Sequence, residues 1–245
     1  MVRRDLARSR AEAQQLITGS RVLVGGMPTP KPASLVAPET PIELVTDERR
    51  WVSRGALKLL AALEAFPVEM EGKRVLDVGA STGGFTEVAL AEGAASVTAV
   101  DAGRGQLHES LLSHPQVESI ERTNFRLVDV DRLGAPFPVV VGDLSFISLC
   151  TVAENMAAAC RSGADLILLV KPQFESGRGR VGRGGVVRDQ TIRERAVRKV
   201  IDCLGEVGLG ARGLIRSPIE GRDGNVEYLL WLRKDAERLE LEVPA

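Results

Sequence analysis

Two hydrophobic periods divide this chain. VLDVG (75–79), SVTAVD (96–101), VESIE (117–121), VVVGD (139–143) and LILLV (166–170) are short apolar runs of the kind that form buried strands. Helical stretches lie between them, such as GFTEVALAEG, where Phe85, Val88 and Ala89 fall on one face. This alternation predicts a parallel sheet with helices on both sides, and such sheets gather their chemistry outside the carboxyl ends of the strands. The last two runs, GLIRSPI (213–219) and NVEYLLWL (225–232), are separated only by EGRDG. That is too short for a helical crossover, so an antiparallel hairpin is expected to close the sheet.

The first residues follow another pattern. SRAEAQQLITGS reads as a helix N-capped by Ser9, with Glu12 completing a capping box, Ala13, Leu16 and Ile17 forming its apolar stripe and Gly19 ending it. RVLVGG reads as a short strand into a turn, the proline-rich stretch from PTPKP to Pro41 as loop, and ETPIELVTDERRW as a further strand and a charged connector. The expected organisation is a small α+β domain over 1–46, a linker over 47–53, the α/β domain over 54–235 and a tail over 236–245.

Composition adds an ordinary soluble globule: 245 residues, 44% hydrophobic and 27% charged, with a net charge of −1. No global field draws such a chain to nucleic acid, so basic surface must be local. It is local in two places. Arg3, Arg4, Arg8, Arg10, Arg21 and Lys31 face only Asp5 and Glu12 in residues 1–32, a net +4. Residues 175–199 carry a net +5 and include Arg178, Arg180 and Arg183 in the flexible run GRGRVGRGG. Both segments suit an RNA backbone, and both also read as solvated charged surface. Cys150, Cys160 and Cys203 lack ligand spacing and are expected to be reduced thiols, with no metal site. The N-terminus has no apolar signal region, and no apolar run is long enough to span a bilayer, so a cytoplasmic chain without a membrane partner is expected.

The chemistry follows from the strand ends. VLDVGASTGGFTE is a strand, a glycine-rich turn and a helix start, where Gly79, Gly83 and Gly84 let a ligand approach the backbone. Ser81 stands where a dinucleotide fingerprint would place its second glycine. The spacing from Asp77 instead resembles the loop that wraps the methionine end of S-adenosylmethionine. Asp101 ends the next strand, where a carboxylate can accept both ribose hydroxyls of an adenosine. With the hairpin, these features give the expected fold: a class I, Rossmann-like methyltransferase with a seven-stranded sheet and antiparallel last strand. Ser81, Thr82, Phe85, Gln106, Asn124 and Asp143 complete the candidate cofactor contacts.

Four charges sit where packing alone would not put them. Lys171 follows the fifth strand run, fixed by Pro172, and Asp143 ends the fourth. Lys58 is the one charge between Arg54 and Glu64 on an apolar helix, and Glu227 falls at the start of NVEYLLWL. Each alone also reads as a snorkelling lysine or a solvated strand-edge acid. Together the case for chemistry is better, because each lies at a sheet or helix end that can face the cofactor pocket.

RRDLARSRAEAQQLI resembles the S-four-like RNA-binding domain of ribosomal proteins. RWVSRGALKL, DVGASTGGFTE, VDAGRGQL, ERTNFR, GDLSFISL, VKPQFE, GGVVRD and GNVEYLLWL resemble, in order, the TlyA family of haemolysin-labelled ribosomal RNA 2′-O-methyltransferases, themselves related to the FtsJ-like enzymes. The resemblance implies a Lys-Asp-Lys-Glu tetrad at Lys58, Asp143, Lys171 and Glu227. Such a tetrad suits removal of a proton from a ribose hydroxyl, with Lys171 as base in a desolvated cleft beside Lys58 and Asp143 and Glu227 orienting the lysines. It implies methylation of a cytidine ribose in large-subunit ribosomal RNA, in some members also the small subunit, with ribosomal subunits as partners. Relatives carry further residues ahead of Met1, so the RNA-binding module is expected to be short here or to start upstream. Two other classes stay open, a membrane-active haemolysin and a small-molecule methyltransferase.

Overall fold

The computed structural model describes residues 1–4, 6, 7, 9–18, 21–25, 27, 28, 31–37, 39–44, 51–177, 182, 184–221 and 223–245. The chain forms two compact units, Met1–Arg50 and Trp51–Ala245.

In the first unit, helix α1 spans Arg10–Thr18. The Glu12 N–H donates to Ser9 Oγ at 3.1 Å, which satisfies one of the free donors at the helix start. Ala13, Leu16 and Ile17 are its half-buried apolar positions. Strand β1 (Val22–Val24) lies between β2 (Met27–Pro28) and β3 (Ile42–Leu44), antiparallel to both. The proline-rich stretch expected to be loop is thus preceded by a two-residue strand that ends on Pro28.

The second unit is a seven-stranded sheet flanked by helices. In chain order its elements are α2 (Gly55–Ala65), β4 (Arg74–Val78), α3 (Gly84–Ala91), β5 (Ser96–Val100), α4 (Glu109–Leu112), β6 (Val117–Ile120) and β7 (Phe137–Gly142). There follow α5 (Ala153–Ala159), β8 (Cys160–Val170), α6 (Pro172–Glu175), α7 (Gln190–Glu206), β9 (Leu209–Arg216) and β10 (Tyr228–Lys234). The strand order is β6-β5-β4-β7-β8-β10-β9. β4 to β8 pair in parallel, and β10 runs antiparallel to both β8 and β9. The hairpin does not simply cap the edge: β10 is inserted between β8 and β9.

This insertion matters because strand period two sorts the side chains onto two faces. Val140, Leu166, Leu168, Leu230 and Leu232 enter one core with α5 and α7. Val75, Val139, Val141, Ile167, Leu169 and Leu229 enter the other with α2 and α3. Continuing the alternation puts Asp77, Asp143, Lys171 and Glu227 on the second face, under α2 and α3. The register Tyr228↔Val170 sets Glu227 beside Lys171.

Three expectations need correction. β10 begins at Tyr228, so Glu227 precedes the strand, although its carbonyl still accepts from Ser217 N at 2.9 Å in register with the hairpin. β9 starts earlier than GLIRSPI, at Leu209, and stops before Ser217-Pro218, since proline cannot continue the ladder. The cysteines are not all reduced thiols. Cys150 and Cys203 form a disulfide, and Cys160 is the free cysteine. The turn of 3₁₀ helix at Leu149–Val152 packs on α7 and brings the two Cα atoms to 5.6 Å, within bridging range despite 53 residues of separation. Beyond β10, Leu241 and Val243 pack against the first core, so the acidic C-terminal segment lies along the sheet unit.

Candidate active site

The turn after β4 is built by conformations that side chains resist. Gly79 and Gly83 have φ of +82° and +96°. A Cβ at Gly79 would lie 2.8 Å from the Asp143 carbonyl oxygen, so only glycine lets the ends of β4 and β7 come together. Ser81 also adopts a positive φ, +49°. Its N–H donates to Asp101 Oδ2 at 2.8 Å, while Gly103 N–H donates to Oδ1 at 2.7 Å. Asp101 thus ties the first loop to the second. The Gln106 side chain covers Gly103. Asn124 caps its own turn by accepting from Arg126 N at 3.1 Å.

Beneath this loop, Asp77 is fully buried and accepts from Thr86 Oγ1 at 2.6 Å. Among the described residues its other oxygen has no hydrogen-bond partner. Burial pushes its carboxyl up to about 7, opposed by the Thr86 hydrogen bond and reinforced by the negative charges of Asp143 and Asp101. An orphaned acceptor under a glycine cradle fits a ligand carrying an amino or hydroxyl donor. Thr82 is exposed at the turn, whereas the Phe85 ring is buried in the core against α2.

The four expected charges meet as two pairs. Lys58 Nζ lies 2.5 Å from Glu227 Oε2, with side chains only 9% and 3% exposed. Lys171 Nζ lies 2.6 Å from Asp143 Oδ1 and 2.6 Å from Ser145 Oγ. Lys171 is itself buried, with its Nζ 5.9 Å from the centre of the Phe174 ring. The cause is topological. β7 and β8 end side by side, β10 starts beside them, and α2 lies over the same face.

Sequence reasoning passed over three groups around these pairs. Ser145 contacts the Lys171 amine. Glu175, buried at the end of α6, accepts from Ser148 Oγ at 2.5 Å and from Leu149 N at 2.8 Å, clasping the segment after Asp143 to the segment after Lys171. Burial raises its pKa, opposed by those two hydrogen bonds and by Lys199. Phe146 is 91% exposed at a φ of +65° and stacks obliquely on Phe174 at 5.1 Å. The signal was present: all three lie inside DLSFISL and VKPQFE.

Of the candidate RNA contacts, Arg3, Arg4, Arg10 and Lys31 are exposed and Arg21 is half-buried. Arg4 also donates to the Thr40 carbonyl at 2.7 Å. Arg8, Arg178, Arg180 and Arg183 lie outside the described residues. Among the described residues, no group of acids, histidines and cysteines could hold a metal, and no helix is long and apolar enough to cross a membrane.

A parallel sheet with an inserted antiparallel last strand, carrying a glycine turn and an acid-ended second strand, defines a class I methyltransferase fold. The FtsJ-like methyltransferase family model matches residues 51–234, essentially the whole second unit, and the chain belongs to that family. It is 51% identical over 239 residues, 97% of this chain and 89% of the relative, to the 16S/23S rRNA (cytidine-2′-O)-methyltransferase TlyA of Mycobacterium tuberculosis. It is 38% identical to Hemolysin A of Brachyspira hyodysenteriae, over 90% of this chain and 92% of that protein. Among solved structures, a putative hemolysin from Streptococcus thermophilus superposes with a TM-score of 0.76 at 37% identity, covering 95% of this chain and 86% of that one.

Proposed function

We propose that this chain methylates the 2′-hydroxyl of a cytidine ribose in ribosomal RNA, using S-adenosylmethionine. The observation that carries the reading is Lys171: a buried amine at a strand exit, paired with Asp143 beside the cofactor-type turn at Gly79. The identity to a curated 16S/23S rRNA (cytidine-2′-O)-methyltransferase supports both the acceptor and its range over the two subunits.

Asp77 and the Gly79–Gly84 turn would hold the methionine end of the cofactor, and Asp101, with Gln106 and Asn124, its adenosine. When bound, the cofactor supplies an electrophilic sulfonium methyl. The chain's own residues then have one chemical task, because a ribose hydroxyl is a poor nucleophile until its proton is removed. Lys171, in its amine form, takes that proton on Nζ as the oxygen attacks, and Asp143 balances the ammonium that forms. Lys58 and Glu227 hold each other beside this pair, so neither of them is left as an unpaired buried charge. Holding the reactants still supplies much of the rate in such a transfer. Phe146, exposed at the mouth, offers a flat apolar surface on which the nucleobase of the target can stack. The basic residues of 1–32 and 175–199 supply contacts to RNA phosphates.

The test is transfer from labelled S-adenosylmethionine to unmethylated large and small ribosomal subunits, intact and deproteinised, followed by nucleoside analysis. Label on a cytidine 2′-O, lost with Lys171→Ala, is the expected result. Cofactor binding without transfer to any ribosomal substrate, or an active Lys171→Ala variant, overturns it.

A further inference from the structure

Among the described residues two polar side chains approach the Lys171 amine to 2.6 Å, and they do not hold it in the same way. Asp143 Oδ1 approaches to 2.6 Å as an ion pair, but without hydrogen-bond alignment. Ser145 Oγ approaches to the same distance, 2.6 Å, in hydrogen-bond geometry. The carboxylate therefore supplies charge, and the hydroxyl supplies direction, since a hydrogen bond weakens steeply when misaligned and a point charge does not.

The backbone is arranged to deliver this hydroxyl. Ser145 lies two residues past Asp143 on the connector leaving β7, and the next residue, Phe146, takes a left-handed φ of +65°. A phenylalanine there is strained, and such strain persists where the surroundings over-determine it. The far end of the connector is fixed by Glu175 through Ser148 and Leu149. Ser145 itself is exposed and contributes nothing to the core. Packing does not account for its contact with a buried lysine.

An ammonium has three N–H donors in fixed tetrahedral directions. With one N–H directed at Ser145 and the Asp143 carboxylate held against the amine as a charge, the hydrogen bond to Ser145 is the contact that sets which way the rest of the amine faces. We propose that Ser145 is a positioning residue for Lys171: its hydroxyl fixes the rotation of the amine about its stem and accepts from the ammonium formed when the ribose hydroxyl gives up its proton. The balance is simple. The ribose O–H bond breaks and an N–H bond forms on Nζ; the ribose oxygen would gain the methyl as the S–CH3 bond of bound S-adenosylmethionine breaks, with S-adenosylhomocysteine as the neutral leaving group. This rests on the ribose-methylation reading above.

The experiment compares wild type, Lys171→Ala, Ser145→Ala and Ser145→Thr in methyl transfer to ribosomal RNA. KM for cofactor and for RNA is resolved from kcat, with cofactor affinity by calorimetry and Tm by scanning calorimetry. Ser145→Ala is expected to keep Tm, both KM values and cofactor affinity while kcat falls roughly 10- to 100-fold, the signature of an interaction that strengthens as charge develops. Ser145→Thr keeps the hydroxyl and is expected to recover most of the rate. A Ser145→Ala enzyme at wild-type kcat, a loss matched by an equal loss of cofactor affinity, or a threonine variant as slow as the alanine one overturns the inference. If the wild type leaves ribose unmethylated, the reaction reading fails and takes this inference with it. If the wild type methylates, Lys171→Ala is dead and Ser145→Ala runs at full rate, the inference fails alone.

Discussion

Lys58 and Glu227, 169 residues apart in the chain, meet as a buried ion pair of 2.5 Å. The pair joins α2 to the start of the inserted strand β10. Removing one partner strands the other charge without solvent, which typically costs about 3–5 kcal/mol, whereas replacing both by apolar groups is often nearly neutral. Lys58→Met is therefore expected to lower unfolding stability by that order and to abolish transfer. Lys58→Met/Glu227→Leu is expected to regain most of the stability and none of the activity. Urea unfolding with a parallel transfer assay reads both.

Phe146 is exposed and makes its ring contact with Phe174. Truncation to alanine removes little core, so stability should change by no more than about 0.5 kcal/mol. Stacking of a nucleobase on an aromatic ring contributes about 1–3 kcal/mol, so Phe146→Ala should reduce transfer to RNA roughly tenfold or more while cofactor affinity is unchanged. Phe146→Trp should retain it. Steady-state transfer and cofactor calorimetry separate the two effects.

Asp77 gives a pH signature. Its carboxyl titrates near 7 in the folded chain against 3.8 as the unperturbed value. Between those values the folded state binds more protons than the unfolded one, so this group's contribution to stability falls as pH rises from about 4 to about 7 and is level above that. The loss across the window is on the order of 4 kcal/mol. Asp77→Asn cannot titrate. The stability difference between variant and wild type should grow in the variant's favour over that window, measured by unfolding at each pH. A difference that does not vary with pH would contradict the buried carboxyl.

The Cys150–Cys203 bridge closes a loop of 53 residues between the connector after β7 and α7. Chain-entropy arguments give a stabilisation of about 4 kcal/mol for a loop of that length. Reductant should therefore lower the Tm of the wild type and leave that of Cys150→Ser/Cys203→Ser unmoved, at the lowered value. Equal Tm values with and without reductant in the wild type would show the bridge absent in solution.

Much of the second unit was legible in the chain because its signals are local. Strand period, helix period and the glycine turn after Val78 are each written within a dozen residues, and short connectors force neighbouring runs to pair. Lys171 stood out because proline follows it at the end of an apolar run, and Asp143 because it ends one. Ser145 and Glu175 did not stand out, since a serine in a loop and a glutamate in a charged stretch look like surface. What distinguishes them is a partner more than twenty residues away, and for Glu175 burial as well. The cysteines misled for the same reason: spacing along the chain says nothing about two positions that meet across helix packing.

The sequence by itself determined the alternation of strands and helices, the glycine turn and the placing of charges at strand ends, because backbone periodicity and turn chemistry depend on near neighbours. The tertiary structure decided that β10 inserts between β8 and β9, that Lys58 pairs with Glu227 and Lys171 with Asp143, and that Ser145 gives the Lys171 amine its direction. Those outcomes depend on strand order and on which face each residue takes after the sheet has formed, quantities set by the packing of the whole core.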